Sequence, residues 1–98
     1  MQRKEALELC KQADKAAALE TLQSFGTTDF RKDLLRVTVP TLILHGDADS
    51  IVPFEGSGKR THETISHSAL NLIAGGPHGI NVSHAAKFNS ALIEFLKK

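Results

Sequence analysis

The sequence predicts an α/β fold that contains two parallel strands and four to five helices. Two short segments, at about 41–45 and 69–74, hold consecutive rather than alternating apolar residues, a pattern typical of parallel strands covered on both faces. Each segment ends in a glycine-containing loop, and a stretch with helical features lies between them. Since parallel strands need a crossover connection, this order predicts a strand–helix–strand unit.

Composition limits the possible function classes. The 98 residues suffice for one small domain. Twelve basic and eleven acidic side chains are mixed along the chain, without a basic block, so we expect no nucleic-acid partner. No apolar run approaches the length of a membrane span, so we expect no membrane partner. The one cysteine, Cys10, is expected to be a packed residue in a reducing compartment, which favours a cytoplasmic protein.

The N-terminal quarter of the chain is predicted to be helical. Apolar residues recur at helical spacing over residues 2–25, with Lys, Glu and Gln between them. Asp14 is a candidate N-cap for the second of two helical pieces, and Gly26 is expected to end it. Many of the apolar residues are alanines, so the buried face is thin and the segment requires a packing partner.

A short helical turn and the first strand follow. The turn is expected over residues 28–35, with Thr28 or Asp29 as its cap. Pro40 then keeps Val39 extended and starts the first strand.

Two further helices are predicted after the strands. Residues 53–66 are expected to form a helix weakened by Gly56 and Gly58. Ser83 is the candidate cap of the last helix. That helix carries an apolar stripe that we interpret mainly as core: Ala85, Phe88, Ala91, Leu92, Phe95 and Leu96.

A sheet of two strands is not self-sufficient. Two-stranded sheets are marginally stable alone, and these strands have the composition of buried ones. The first strand has one predicted neighbour, so we expect an open apolar edge on its other side. Such an edge favours pairing with another chain. We therefore expect a homo-oligomer or association with a missing part of the sheet.

The strand-end loops hold the candidate catalytic residues, Asp49 and His78, which lie 29 residues apart. Loops at the same end of adjacent parallel strands can bring a carboxylate into contact with an imidazole. The carboxylate then fixes the ring tautomer and leaves the other nitrogen as a base. The alternative stays open at this point: Asp47 and Asp49 are turn residues, and His78 is a solvated loop histidine.

A metal site is not expected. His45, Asp47 and Asp49 alternate, but no second group of ligands completes a site. The remaining histidines are expected to be solvated: His62, His67 and His84.

Several segments show a family resemblance. Residues 39–49, VPTLILHGDAD, followed by Ile51-Val52-Pro53, resemble the acid-bearing segment of α/β-hydrolases, and residues 76–79, GPHG, resemble the catalytic histidine loop of that family. The segments at 28–31, 57–60 and 78–82 also match the group of esterases and cofactor-free (non-heme) chloroperoxidases or perhydrolases. The resemblance covers nearly the whole chain and is weakest before about residue 20.

The resemblance implies catalytic roles. Asp49, three residues after Gly46, is then the triad acid, His78 the general base, and Asp47 a loop residue. In this family a serine attacks the acyl carbonyl of a small ester or carboxylic acid substrate, without a cofactor. Members with perhydrolase activity use hydrogen peroxide in place of water.

The family's nucleophile has no counterpart in these 98 residues. No Gly-x-Ser-x-Gly motif is present. Ser57 lies between Gly56 and Gly58, but Glu55 and Lys59 occupy the positions where the motif needs glycine. The N-terminal sheet and the oxyanion donors of the family are also unmatched.

The sequence is therefore predicted to be a single partial domain from the C-terminal part of an α/β-hydrolase. Residues 1–27 would end the cap region, and residues 28–98 would supply the last two strands, the acid and histidine loops and the C-terminal helix. We expect the isolated chain to be inactive. The alternative is a non-catalytic fragment that self-associates, or that complements the missing N-terminal half implied by the resemblance, through the open strand edge.

Overall fold

The computed structural model describes residues 2–98 and confirms the predicted α/β class. The described part contains two strands and six α-helices, more than the four to five expected. In chain order they are α1 (Gln2–Gln12), α2 (Lys15–Thr27), α3 (Arg31–Leu34), β1 (Thr41–Gly46), a 3₁₀ helix (Phe54–Gly56), α4 (Gly58–Thr64), β2 (Ser68–Ile73), α5 (Ile80–Ser83) and α6 (Ala85–Leu96). The chain divides into two compact units between Phe30 and Arg31.

The first unit consists of α1 and α2. The Asp14 carboxylate accepts a hydrogen bond from the Ala17 N–H at 2.9 Å, which confirms the predicted cap of α2. The prediction that Gly26 ends this helix is wrong, since α2 continues to Thr27. It ends where the Thr28 hydroxyl and N–H both donate to the Ser24 carbonyl, at 2.6 and 3.0 Å. These bonds satisfy a terminal carbonyl of the helix.

The apolar side chains of this unit remain largely exposed. Helix α2 has no buried residue, and Leu22 and Phe25 are 66% and 76% exposed. Cys10 is also exposed, so the prediction that it is packed is wrong. The alanine-rich faces are too thin to bury larger neighbours.

The second unit is built on a parallel pair of strands. Strand β1 pairs with β2 in a register that runs from Thr41 opposite Ser68 to Gly46 opposite Ile73. Both strands thus end at the same level, and the loops that follow them leave the sheet side by side. This register is what positions the site.

Burial in the second unit is less than the sequence predicts. Its buried apolar residues in the described part are Ile65, Ile73 and Ile80, while most of β1 is half-buried. In the described residues the sheet has two strands, so faces composed for burial are only partly covered. Helix α6 packs against both strands. Its apolar stripe is half-buried for the most part, although Leu96 is 70% exposed.

The helix predicted over residues 53–66 is interrupted at Ser57. Its backbone, at φ −135° and ψ −84°, is not helical, and it separates the 3₁₀ helix from α4. The glycines on either side, Gly56 and Gly58, weaken helical continuity as expected.

The C-terminal segment breaks at His84 rather than starting at Ser83. Ser83 ends α5, and His84, with φ −126° and ψ 44°, precedes α6. The Ser83 hydroxyl contacts His84 Nδ1 at 2.8 Å and lies 3.2 Å from the Gly79 carbonyl oxygen. The predicted cap role of Ser83 for the last helix is therefore wrong. None of the described helices has the length and apolar character required to cross a membrane.

Candidate functional site

The site forms where the loops after β1 and β2 touch. A Cβ atom built on Gly46 would lie 2.0 Å from the carbonyl oxygen of Gly76, so only glycine permits the observed approach of the two backbones. The Ala48 N–H donates to the same Gly76 oxygen at 3.0 Å. The two loops are therefore held together directly beyond the ends of the strands.

Asp47 connects the two loops but is not the partner of His78. Its carboxylate accepts the Gly75 N–H at 2.7 Å, and its own N–H donates to the Ile73 carbonyl at 3.1 Å. Gly75 has a φ of +69°, a conformation that favours glycine. The geometry agrees with Asp47 being a loop residue.

Asp49 lies deep in the first loop and accepts three hydrogen bonds. Its Oδ1 accepts the N–H groups of Ile51 and Val52 at 3.0 and 2.8 Å. Its Oδ2 lies 2.9 Å from Nδ1 of His78. The side chain is 5% exposed. The turn that follows Asp49 thus fixes one carboxylate oxygen and directs the other towards the second loop.

These contacts set the ionisation of Asp49. Desolvation opposes ionisation, but the hydrogen bonds from Val52, His78 and Ile51, together with the favourable interaction with the imidazole, outweigh it. They hold the pKa of the Asp49 carboxyl below its ordinary value of 3.8. Asp49 is therefore an anion at neutral pH.

His78 occupies the more open side of the pair. Its side chain is 53% exposed, and its Nδ1 faces the ionised Asp49 carboxylate. Because a carboxylate only accepts, Nδ1 carries the proton in the neutral ring and Nε2 is the free acceptor. The predicted contact between Asp49 and His78 is present; their catalytic roles remain predictions.

His45 supports this arrangement, a role that its alternation with Asp47 and Asp49 in the sequence does not indicate. Its Nε2 donates to the Val52 carbonyl at 2.8 Å and lies 3.5 Å from Oδ2 of Asp49. Phe54 packs edge-on against the ring, with centroids 5.4 Å apart, and a Cβ on Gly58 would lie 2.6 Å from Nδ1. These partners lie further along the chain at spacings that follow no periodic pattern, so no sequence signal identified the role.

A cavity of about 350 Å³ adjoins the Asp49–His78 pair. Its lining combines apolar side chains with the polar groups of the pair, so a small, mostly apolar group would fit beside the imidazole. The apolar members are Leu44, Val52, Ile80 and Phe88, and the polar ones are His45, Asp49, His78 and Asn81.

Ser57 is not brought to this cavity. Its hydroxyl donates to the Pro53 carbonyl at 2.6 Å, and the residue lines a separate cavity with Arg60 and Thr61. The structure therefore gives no geometry in which His78 activates Ser57.

The other histidines differ partly from expectation. His62 is half-buried, with Nδ1 2.7 Å from the Ser68 hydroxyl, so the prediction that it is solvated is wrong. The Ser68 hydroxyl is also within hydrogen-bond distance of the carbonyls of the α4 C-terminus, which explains this packing. His84 is half-buried where exposure was predicted, and His67 is exposed as predicted. In the described residues no group of three or more His, Cys, Asp or Glu could hold a metal ion.

Known proteins resemble this chain in both sequence and structure. A Synechocystis protein whose name assigns it to the non-heme chloroperoxidases is 53% identical over 70 residues, which is 71% of this chain and 25% of that protein. A bifunctional esterase/perhydrolase of Acinetobacter calcoaceticus is 38% identical over 81 residues, 83% of this chain and 29% of the relative. The crystal structure of a bromoperoxidase from Bacillus anthracis matches with a TM-score of 0.90 and 52% identity over 93% of this chain.

The chain belongs to the α/β-hydrolase superfamily. A scan against protein-family models gives no match. This α/β-hydrolase chain spans 25% and 29% of the two relatives and 33% of the bromoperoxidase chain, so it represents part of the fold.

Proposed function

We propose that Asp49 and His78 are the acid and the general base of a serine-hydrolase triad that acts on small carboxylic esters. The nucleophile would come from polypeptide outside these 98 residues. One observation carries this proposal: a carboxylate that is 5% exposed lies 2.9 Å from the imidazole of a half-exposed histidine. The names of the relatives, which include an esterase/perhydrolase and chloroperoxidases, support the reaction class.

The geometry suits proton transfer by His78. Nε2 would accept the proton of a serine hydroxyl as the serine attacks the ester carbonyl, and the Asp49 anion would stabilise the resulting imidazolium. The same proton would then pass to the leaving alcohol. In the second half-reaction, Nε2 would activate water, or hydrogen peroxide in a perhydrolase, to release the acid or peracid.

The 98 residues alone are predicted to show no ester turnover above background. They contain no Gly-x-Ser-x-Gly motif, and Ser57 lies outside the cavity beside His78. The check is hydrolysis of a small activated ester by the purified chain and by His78→Ala. Equal rates at background agree with the proposal, whereas a clearly faster wild type would mean that these residues include a nucleophile.

The roles of Asp49 and His78 can be tested in a chimera. The matched third of the Bacillus anthracis bromoperoxidase would be replaced by this chain, since the two superimpose with a TM-score of 0.90. We expect the chimera to hydrolyse small esters, and His78→Ala to lower the turnover number by about 10⁴-fold or more. Peroxide-dependent bromide oxidation would be measured in parallel.

His84→Ala is the matched control, because His84 lies six residues further on and its ring contacts the neighbouring Ser83. We expect the turnover of this variant to stay within about twofold of that of the unsubstituted chimera, which corresponds to a change of about 0.4 kcal/mol in activation free energy. A folded, active chimera in which His78→Ala behaves like His84→Ala would remove His78 from the mechanism. A folded chimera without either activity would contradict the proposed reaction class.

A second candidate role is association through the open edge of β1. Within the described residues β1 pairs with β2 alone, and most of its residues are only half-buried. We propose that this edge pairs with a second copy or with the missing part of the fold. Sedimentation that shows only a 10.6 kDa monomer over a wide concentration range would contradict self-association.

A further inference from the structure

We propose that Asp47 is a positioning residue that holds the loop after β2 (residues 74–79, the histidine loop) so that the His78 ring meets Asp49. The structure brings two carboxylates of one loop against two points of the other. Asp47 accepts the Gly75 N–H at 2.7 Å, and Asp49 contacts the His78 ring at 2.9 Å. This inference rests on the proposed function only in treating His78 as the base.

The need for such a residue follows from the geometry around His78. The ring is 53% exposed, so packing does little to fix its position. Its placement therefore depends on the backbone of the preceding residues. Gly75, three residues earlier, has a φ of +69°, so the backbone that leads to His78 passes through a left-handed conformation that must be held in place.

Asp47 is well placed to maintain that direction. Its N–H donates to the Ile73 carbonyl at 3.1 Å, which also accepts the Gly76 N–H at 3.1 Å. Its carboxylate then reaches past this point to the N–H of Gly75. Backbone and side chain of one residue thus bind two points of the turn that leads to His78: its first carbonyl, at Ile73, and the N–H of Gly75.

The alternative explanation is that Asp47 only stabilises the fold. In that case its removal would lower the free energy of unfolding but leave the His78 tautomer unchanged in the molecules that remain folded. If Asp47 positions the ring, its removal releases Nδ1 from Asp49. The neutral ring would then shift towards the Nε2–H tautomer that imidazole prefers in water.

The experiment measures the His78 tautomer in the 98-residue chain by long-range ¹H–¹⁵N spectra at pH 8, where an ordinary histidine is neutral. We expect mostly Nδ1–H in the wild type and mostly Nε2–H in Asp47→Ala. Asp47→Asn keeps an acceptor oxygen for the Gly75 N–H and should retain mostly Nδ1–H. Asp49→Asn gives the spectrum of a ring without its carboxylate partner.

Glu55→Gln is the control for loss of a nearby charge, because Glu55 is exposed and pairs with Lys59. It should leave the tautomer unchanged. A folded Asp47→Ala that keeps mostly Nδ1–H overturns the proposal. If this variant does not fold, Asp47→Ser, whose shorter side chain weakens the Gly75 contact, is measured instead, and an unchanged tautomer has the same meaning.

In the chimera, Asp47→Ala should lower turnover by about 10²-fold, with most of it restored in Asp47→Asn. The tautomer does not depend on turnover, so the two proposals can fail separately. If His78→Ala has normal turnover, the proposed function fails. If the His78 tautomer is the same in wild type and in Asp47→Ala, only the positioning role fails.

Discussion

The two loops that build the site differ sharply in how they are held. The acid loop (residues 46–52) has an Asp49 side chain that is 5% exposed and accepts hydrogen bonds from two backbone N–H groups and one ring. The histidine loop (residues 74–79) presents a His78 side chain that is 53% exposed and bound to Asp49. Both loops follow parallel strands that end at the same level, so the strands do not cause the difference.

The difference shows which group is fixed and which is available. Asp49 has both carboxylate oxygens engaged and a lowered pKa, as expected for an anion that orients another group. His78 uses Nδ1 for that contact and keeps Nε2 for a further partner. The described residues thus supply an oriented imidazole beside a partly apolar cavity, as the proposed role of His78 as a base requires.

The largest effect is expected from removing the negative charge of Asp49 while keeping the shape of its side chain. In the chimera, Asp49→Asn should lower turnover by about 10⁴-fold, because an amide favours the wrong tautomer of His78. Substrate affinity should change little, since Asp49 lies behind the ring. Measurement of kcat and KM for a small ester checks this, and a loss confined to KM would show that Asp49 binds substrate instead.

The next effect tests the close contact between the loops. Gly46→Ala places a Cβ 2.0 Å from Gly76 O, against backbone that cannot move easily. We expect it to destabilise the chain by about 3 kcal/mol or more, measured by urea unfolding. Gly56→Ala is the control: its Cβ would meet nothing within 4 Å, so it should be neutral or stabilising by about 0.5 kcal/mol. Equal stability of the two variants would mean that the loops do not depend on this contact.

A smaller effect is expected at His45, which supports the acid loop from the strand. His45→Leu removes the donor to the Val52 carbonyl and should cost about 1–2 kcal/mol of unfolding free energy. His67→Leu is the matched control, because His67 is exposed. If both variants unfold at the same urea concentration, the His45 bond does not stabilise the acid loop.

The parts of this molecule that follow from local sequence were predictable. The apolar runs and Pro40 locate both strands to within one residue, and the predicted parallel pairing places Asp49 beside His78. The choice between Asp47 and Asp49 could be made from the sequence only through family resemblance, because both follow Gly46 in the same loop.

The features that escaped prediction depend on contacts that no periodic pattern indicates, or on a local backbone conformation that interrupts a helix. The His45 ring packs between Phe54 and the backbone of Gly58, and the residues next to His45 in sequence do not indicate these contacts. The segment 53–66 has helical periodicity but is broken by the backbone conformation of Ser57. The long-range connection of Asp47 to Gly75 has no sequence signature of its own.

The smallest effect concerns the pH dependence of stability and comes from the acid loop alone. Because the pKa of Asp49 is lowered in the folded chain, the unfolded chain binds more protons as the pH falls below about 4. The contribution of Asp49 to stability is thus fully present when the pH is above the ordinary pKa of this carboxyl, 3.8. It is lost as the pH falls through the lower pKa of the folded chain. Asp49→Asn has no such titration, so the stability gap between wild type and this variant should narrow as the pH falls from about 4 through the folded pKa of Asp49. Urea midpoints of both proteins across that range check this, and since the other carboxyls are common to both, parallel curves would show that Asp49 titrates alike in the folded and unfolded chains.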